Sequence, residues 1–255
     1  MSVQYTPVIW NRNKMVYDAV LLVAVALYLY VFIRIAPAYE DVTAPIDGAI
    51  LRMRAFGSCA FLMLSTILAI GPLARLDRRF LPLLYNRRHL GVATFAVGLA
   101  HGAFSLVQFH ALGDTNPLVS VFTANMRYDS LAHFPFQPLG FLALGILFLM
   151  AATSHDFWLA NLTAPVWKAL HLLVYLAYGL LVLHVGLGIL QAETHPAWTG
   201  IVAVGLATVL GLHLVAGLRE AAGDEDLEPG ADGLVDVCGL GELELDRGKV
   251  VALAG

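Results

Sequence analysis

Residues 167–187 read WKALHLLVYLAYGLLVLHVGL, an apolar stretch long enough to cross a bilayer as a helix. The stretch contains two histidines, His171 and His184, which lie thirteen residues apart. That spacing corresponds to about 20 Å along a helix axis. Titratable side chains inside spanning helices are costly and mark functional sites by default. The stretch therefore predicts a membrane helix whose histidines bind a partner or ligand inside a helical bundle.

The rest of the chain is just as apolar. Hydrophobic residues make up 59% of the 255 residues and charged residues only 13%, whereas soluble domains carry about 25% charged residues. The sequence predicts an integral membrane protein of the all-α class, a six-helix bundle, with spans near 15–36, 50–73, 89–112, 137–153, 165–190 and 197–219. The fourth run is the shortest, so we expect it to be tilted or to lie in a thinned bilayer.

Proline-containing breaks separate the six runs. They occur at Pro37 and Pro45, Pro72 and Pro82, Asn116-Pro117, Pro135 and Pro138, Pro165, and Pro196. The longest connection inside the membrane part covers residues 113–135 and lies on the outer side. Loops of this length are usually functional or docked on a partner. A quinone could join at either face, and Tyr128, Asp129 and His133 of this connection are a place to look for it.

Lysine and arginine set the orientation. With six spans, one side holds Arg12, Lys14, Arg75, Arg78, Arg79, Arg87, Arg88, Lys168 and Arg219. The opposite side holds Arg34, Arg52, Arg54 and Arg127. This excess places both termini in the cytoplasm. The net charge of −4 is concentrated near the C-terminus, so no nucleic-acid partner is indicated.

The sequence divides into four segments. Residues 1–14 form an N-terminal cytoplasmic segment, 15–219 the membrane domain, 220–233 an acidic linker, and 234–255 a short tail. The tail contains two strand-like runs around a turn at Asp246-Arg247-Gly248. The two cysteines, Cys59 and Cys238, lie in different environments, so no disulfide is expected, and no CxxCH motif for covalent haem attachment is present.

Four histidines form a pattern across spans three and five. His89 and His101 are twelve residues apart, and His171 and His184 are thirteen apart. Spans three and five run in the same direction, and the two spacings turn their helices by nearly mirror-image angles, about +120° and about −140°. His89 can therefore meet His171 near the cytoplasmic face, and His101 can meet His184 farther out. Two flat ligands would stack along the membrane normal, about 18–20 Å apart.

Two six-coordinate b-type haems fit this pattern, because imidazole is a common axial haem ligand and no cysteine is needed. Zinc is a weaker alternative, because we expect no Cys, Asp or Glu to accompany these four histidines within the spans. Glycines near them could admit a macrocycle or simply mark close helix contacts: Gly98, Gly102, Gly179, Gly186 and Gly188. The remaining histidines are expected to be interfacial or locally bonded: His110, His133, His155, His195 and His213.

The segments LSTILAIGPLARL, NRRHLGVATFAVGLAHGAF and WKALHLLVYLAYGLLVLHVGLG resemble the ferric reductase-like transmembrane domain family. The resemblance covers about residues 15–219. It implies that His89 with His171 ligate an inner haem and that His101 with His184 ligate an outer one. The spacing in span five matches the family, whereas the twelve residues in span three are fewer than is usual in the oxidases.

The tail LVDVCGLGELELDRGKVVALAG resembles the opening strands of a Rieske-type ferredoxin domain, but the cluster motifs CxH and CxxH are absent. A [2Fe-2S] cluster is expected only if the chain continues beyond Gly255. The resemblance implies a bacterial inner-membrane protein.

Three functions remain open at this stage. The first is a b-type cytochrome, a transmembrane oxidoreductase component if it is catalytic, relaying electrons between a cytoplasmic partner and an outer or quinone partner. The second is a haem-bearing accessory subunit of a larger respiratory or photosynthetic complex. The third is a transporter or metal-binding membrane protein.

Overall fold

The structure is a computed structural model that describes residues 11–39, 47–192, 196–223, 226–227 and 252–253. The α-helices in chain order are α1 Arg12–Ile35, α2 Gly48–Leu76, α3 Leu81–Tyr85, α4 Arg87–His110, α5 Pro117–Thr123, α6 Gln137–Ala152, α7 Asp156–Asn161, α8 Ala164–Leu187, α9 Ile189–Ala192 and α10 Pro196–Gly223. Short 3-10 helices occupy Ala36–Tyr39, Arg78–Phe80 and Leu131–His133.

Five long apolar helices and one shorter apolar helix support the predicted membrane bundle. Helices α1, α2, α4, α8 and α10 are each long and apolar enough to span a membrane. Helix α6 is apolar but has only 16 residues, which is about 24 Å of helix against a hydrocarbon core of about 30 Å. The chain is therefore a multi-pass membrane protein, and its fourth apolar helix is the shortest, as the sequence predicts.

Helix α2 lies at the centre of the bundle. It contributes the most buried residues of any described helix, and its side chains take part in all three hydrophobic clusters. Helix α4 packs antiparallel to it, since Met53 near the start of α2 contacts His101 of α4, while Gly71 near its end approaches Arg87. Helix α10 packs on another side of α2.

Helices α6 and α8 form a second antiparallel pair. Phe136 at the start of α6 contacts His184 near the end of α8, and the indole of Trp167 donates to the carbonyl of Thr153 beyond the end of α6. A buried link joins this pair to α2: the Tyr178 hydroxyl lies 3.1 Å from Ser65 Oγ. Ser65 donates its own proton to the carbonyl of Phe61, so Tyr178 is the donor in that link.

Pro45 lies outside the described residues, and of the described prolines named as breaks, one departs from expectation. Pro117, Pro138 and Pro165 lie in the first turn of α5, α6 and α8, where a missing N–H costs little. Pro72, expected as a break, instead lies inside α2, which continues to Leu76. The neighbouring residues of α2 are buried, and in an apolar medium the rest of the helix keeps its internal hydrogen bonds. Packing therefore overrides the local break.

The long connection over residues 113–135 is folded rather than extended. It contains α5 and the 3-10 helix Leu131–His133, and Ser120 of α5 is hydrogen-bonded to His110 at the end of α4. Asp226–Leu227 of the acidic linker pairs in parallel with Ala252–Leu253 of the tail. The predicted turn at Asp246-Arg247-Gly248, Cys238 and the rest of the Rieske-like segment lie outside the described residues, as does His195.

Candidate functional site

The side chains of His101 and His184 face each other across the bundle. Their ring centroids are 6.1 Å apart, and the ring planes are nearly perpendicular at 84°. When two imidazoles each place a nitrogen about 2 Å from one metal ion between them, their centroids lie about 6 Å apart. The structure thus brings together the outer pair that the sequence predicts, at a separation suited to one shared metal ion.

Backbone carbonyls fix the orientation of both rings. Nδ1 of His101 lies 2.9 Å from the carbonyl oxygen of Met53 in α2. Nδ1 of His184 lies 2.9 Å from the carbonyl oxygen of Phe136, immediately before α6. A carbonyl oxygen only accepts, so each Nδ1 carries a proton and donates it. Each Nε2 therefore keeps its lone pair for a metal, which is the usual arrangement of metal-bound histidine.

Two glycines allow the rings to lie this close to the neighbouring helices. A Cβ added to Gly57 would be 2.8 Å from Nδ1 of His101, and one added to Gly140 would be 2.7 Å from Nδ1 of His184. In both places the glycine follows the residue with the accepting carbonyl by four residues. That carbonyl residue precedes its histidine by 48 residues. The pairs α2–α4 and α6–α8 thus build the same unit twice.

The predicted inner pair, His89 and His171, lies near the N-terminal ends of α4 and α8, away from His101 and His184. Phe95 of α4 packs against Phe148 of α6, and Gly102 of α4 faces Leu144 of α6, so α4 is antiparallel to α6, as α8 is. This confirms that α4 and α8 run in the same direction. Nδ1 of His171 lies 3.0 Å from the carbonyl oxygen of Trp167, and its ring stacks on that indole with centroids 3.9 Å apart.

His89 is held by a carboxylate. Its Nδ1 lies 2.8 Å and 2.9 Å from the two carboxylate oxygens of Asp18 in α1. The expectation that no acidic residue accompanies the four histidines is therefore wrong. The sequence signal was present, because Asp18 lies inside the first apolar run, where a carboxylate needs a partner. Shared ligation of one group by His89 and His171 stays a prediction.

Three of the remaining histidines are locally bonded, as expected. Nδ1 of His110 lies 2.9 Å from Ser120 Oγ, and Nδ1 of His155 accepts from the backbone N–H of Phe157. His213 donates from Nδ1 to the carbonyl of Val209, so its Nε2 accepts from the hydroxyl of Tyr175 at 3.0 Å. His133 differs, because it lines a cavity at the C-terminal end of α8.

Of the five glycines singled out from the sequence, Gly188 lies against the His184 carbonyl oxygen and the Phe136 ring, and the other four divide into two groups. Gly98 and Gly102 face Leu144 of α6 and serve close helix packing. Among described atoms, none lies within 4 Å of a Cβ built on Gly179 or Gly186. Gly57 and Gly140, which sequence reasoning missed, are the ones that touch the histidine rings. These two glycines matter because of a contact between two helices, and such a contact cannot be recognised from one stretch of sequence.

The donor set suits a haem. A haem supplies four equatorial nitrogens of its own, so two facing imidazoles complete its coordination. Within the described residues, no group of three or more His, Cys, Asp or Glu side chains is placed to hold a metal ion. The residues present at His101 and His184 thus fit a haem with two axial histidines.

Comparison with known proteins gives a family match for part of the chain. A family model described as "Ferric reductase like transmembrane component" matches residues 56–182. The matched residues include His89, His101 and His171 and end two residues before His184. A search of curated proteins gave no match. The segment from within α2 to within α8 therefore matches the ferric reductase-like transmembrane component, and this match supports that family and a membrane electron-transfer role.

Proposed function

We propose that this protein is a membrane b-type cytochrome that relays electrons between a cytoplasmic partner and an outer-side acceptor or donor. The observation that carries the proposal is the pair His101 and His184, with ring centroids 6.1 Å apart and both Nδ1 protons committed to carbonyls. The match of residues 56–182 to a ferric reductase-like component supports it. In this proposal the bound haem supplies reversible one-electron chemistry.

The protein's own part at the outer site is to position the ligands. Met53 and Phe136 hold the two imidazoles through their carbonyl groups. Gly57 and Gly140 keep the space that the rings need. Because both rings are fixed before any metal binds, little side-chain entropy is lost on binding.

The inner site is proposed at His89 and His171. It would lie about 18–20 Å from the outer site along the parallel helices α4 and α8. Asp18 increases the electron donation of the His89 imidazole, as carboxylates do for metal-bound histidines. The two sites therefore differ in a way that separates their redox potentials, since the outer histidines donate only to neutral carbonyls.

The region between the two proposed haem sites is closely packed. Tyr178 lies between His171 and His184 on α8 and is only 5% exposed. Its ring stacks on Phe61 of α2 with centroids 5.7 Å apart. This contact belongs to the main hydrophobic cluster of α2, α6, α8 and α10. The packing keeps water out of the region between the two sites.

The cytoplasmic end is proposed as the partner side. The basic cluster at residues 75–88 lies there, and it would attract an acidic electron-transfer protein. If an iron–sulfur domain follows the tail, it would meet the inner site at this end. We place the protein in a bacterial inner membrane with both termini in the cytoplasm.

The test is the visible spectrum of the purified protein after reduction. The proposal requires an α-band of b-type haem, and a haem-to-protein ratio of two for the two-site arrangement. A ratio of one would remove the inner site from the proposal. A colourless protein isolated from haem-sufficient cells would overturn the haem function altogether.

A further inference from the structure

A cavity of about 370 Å³ opens at the outer end of α8. This volume lies in the range of small-molecule sites, about 300–1,000 Å³. The cavity is lined in part by Phe136, whose ring centroid is 5.5 Å from that of His184. One aromatic side chain therefore separates the cavity from the outer histidine pair.

The cavity wall is held in place by hydrogen bonds. The side-chain amide of Asn125 donates to the carbonyl of His133 at 2.7 Å. The side-chain amide of Gln191 donates to the carbonyls of Leu131 and Leu187, at 2.9 and 3.1 Å. The second set of bonds ties the outer loop to the end of α8. The cavity is thus built by the fold and is more than a gap between two mobile segments.

The lining combines polar and apolar surface in similar amounts. Phe134, Phe136 and Leu187 supply apolar surface, while the polar groups come from Asn125, Gln191 and His133. None of the lining residues is Lys, Arg, Asp or Glu. A multiply charged chelate would lose its hydration there with no opposite charge to replace it. The lining favours a neutral ring.

Two polar groups in the cavity are available to a ligand. Both amide hydrogens of Gln191 are used, so its Oε1 is left as an acceptor. In the described part of the chain, neither this oxygen nor the His133 imidazole makes a hydrogen bond. An acceptor and an imidazole beside apolar walls suit a flat ring that carries hydroxyl groups.

We infer that this cavity binds a hydroquinone and its quinone, and that the bound ring exchanges electrons with the outer histidine site through Phe136. The inference deepens the proposed function and rests on it. Gln191 Oε1 accepts a hydrogen bond from one ring hydroxyl, and the His133 imidazole forms a hydrogen bond with the other. The interfacial position at the end of a spanning helix suits a ring whose tail remains in the lipid.

The protons and electrons released by a hydroquinone each have an acceptor at this site. Oxidation of a hydroquinone breaks two O–H bonds, releases two protons and yields two electrons. His101 and His184 would hold the haem proposed between them, and that haem would take up these electrons one at a time. Each proton leaves to the outer solution through the exposed His133 imidazole, which takes it up and releases it in turn. Reduction of a quinone follows the same route in reverse.

The test is equilibrium dialysis of duroquinol against the purified, haem-loaded full chain. Removing one neutral hydrogen bond costs about 0.5–1.5 kcal/mol, so His133→Ala and Gln191→Leu should each weaken binding about three- to tenfold. Leu112→Ala, at an exposed position just after α4 and outside the cavity lining, should leave binding unchanged. His133→Gln retains a hydrogen-bonding group without a proton-transfer group, so it should bind duroquinol like the parent yet slow reduction of the haem.

The outcomes separate the two levels of inference. If no haem is bound, the proposed function fails. If haem is bound and duroquinol does not bind, or if the cavity variants bind as the parent does, the hydroquinone site is wrong while the cytochrome remains. A third outcome would likewise overturn the hydroquinone site. If duroquinol does not bind, and ferric citrate oxidises the reduced haem at a rate that His133→Ala changes, the cavity is a site for a ferric chelate.

Discussion

Nδ1 of His89 lies 2.8 Å from one carboxylate oxygen of Asp18 and 2.9 Å from the other. The three other histidines of the predicted set direct Nδ1 to backbone carbonyls instead. A carboxylate makes an imidazole a stronger electron donor than a carbonyl does. A haem held by His89 would therefore be stabilised in its ferric form relative to one held by His101 and His184.

Asp18→Asn should raise the midpoint potential of the inner haem. The amide removes the negative charge that favours ferric iron, and a tenfold change in relative ferric and ferrous binding corresponds to about 60 mV for one electron. Spectroelectrochemical titration would measure the shift. Asp129→Asn, an exposed carboxylate of the outer loop, is the control. A shift of the outer haem alone would contradict the assignment of His89.

Gly140→Ala should lower the content of the outer haem. The added Cβ would lie 2.7 Å from the His184 ring, so the ring must move away from Phe136, and overpacking of this kind costs about 1–3 kcal/mol. Gly145→Ala is a matched control in the same helix, because among described atoms none lies within 4 Å of its added Cβ. Equal haem content in the two variants would show that ring placement does not depend on this glycine.

Tyr178→Phe should reduce the free energy of unfolding by about 0.5–1.5 kcal/mol, because it removes the interhelical hydrogen bond to Ser65. Unfolding in mixed detergent micelles would measure the change. Tyr30→Phe serves as the control, since Tyr30 is 60% exposed on α1. Similar losses in the two variants would mean that the Tyr178–Ser65 bond adds no stability.

Cysteine labelling should show opposite sides for two exposed positions. Asp129 lies in the outer loop and His155 in the connection between α6 and α8. In a background of Cys59→Ser and Cys238→Ser, a membrane-impermeant maleimide should label Asp129→Cys in intact spheroplasts. It should label His155→Cys only after lysis. The reverse pattern would invert the proposed orientation.

Much of the fold could be predicted because apolar length is a local property. All six apolar runs became helices, with bounds within a few residues of the expected ones. Pro72 was misjudged because local backbone preference is weaker than the packing of α2 on its neighbours. The helical and 3-10 segments of the outer loop were missed, since that loop has no long periodic pattern.

The site was predictable only in part, for a similar reason. Helical spacing was enough to pair His101 with His184, because both lie on long parallel helices. The carbonyls of Met53 and Phe136 carry no side-chain signal, so their hydrogen bonds could not be read from residue types. Asp18 could have been found, because a carboxylate in an apolar run needs a partner nearby.

The haem-to-protein ratio of three variants tests the central claim most directly. His101→Ala and His184→Ala should each lower the ratio from two to one, because each removes one ligand of the same haem. The double variant should also hold one haem, with the inner haem's spectrum and potential unchanged. His155→Ala should keep both haems. A double variant with no haem, or single variants that lose spectroscopically different haems, would contradict the claim that His101 and His184 share one metal ion.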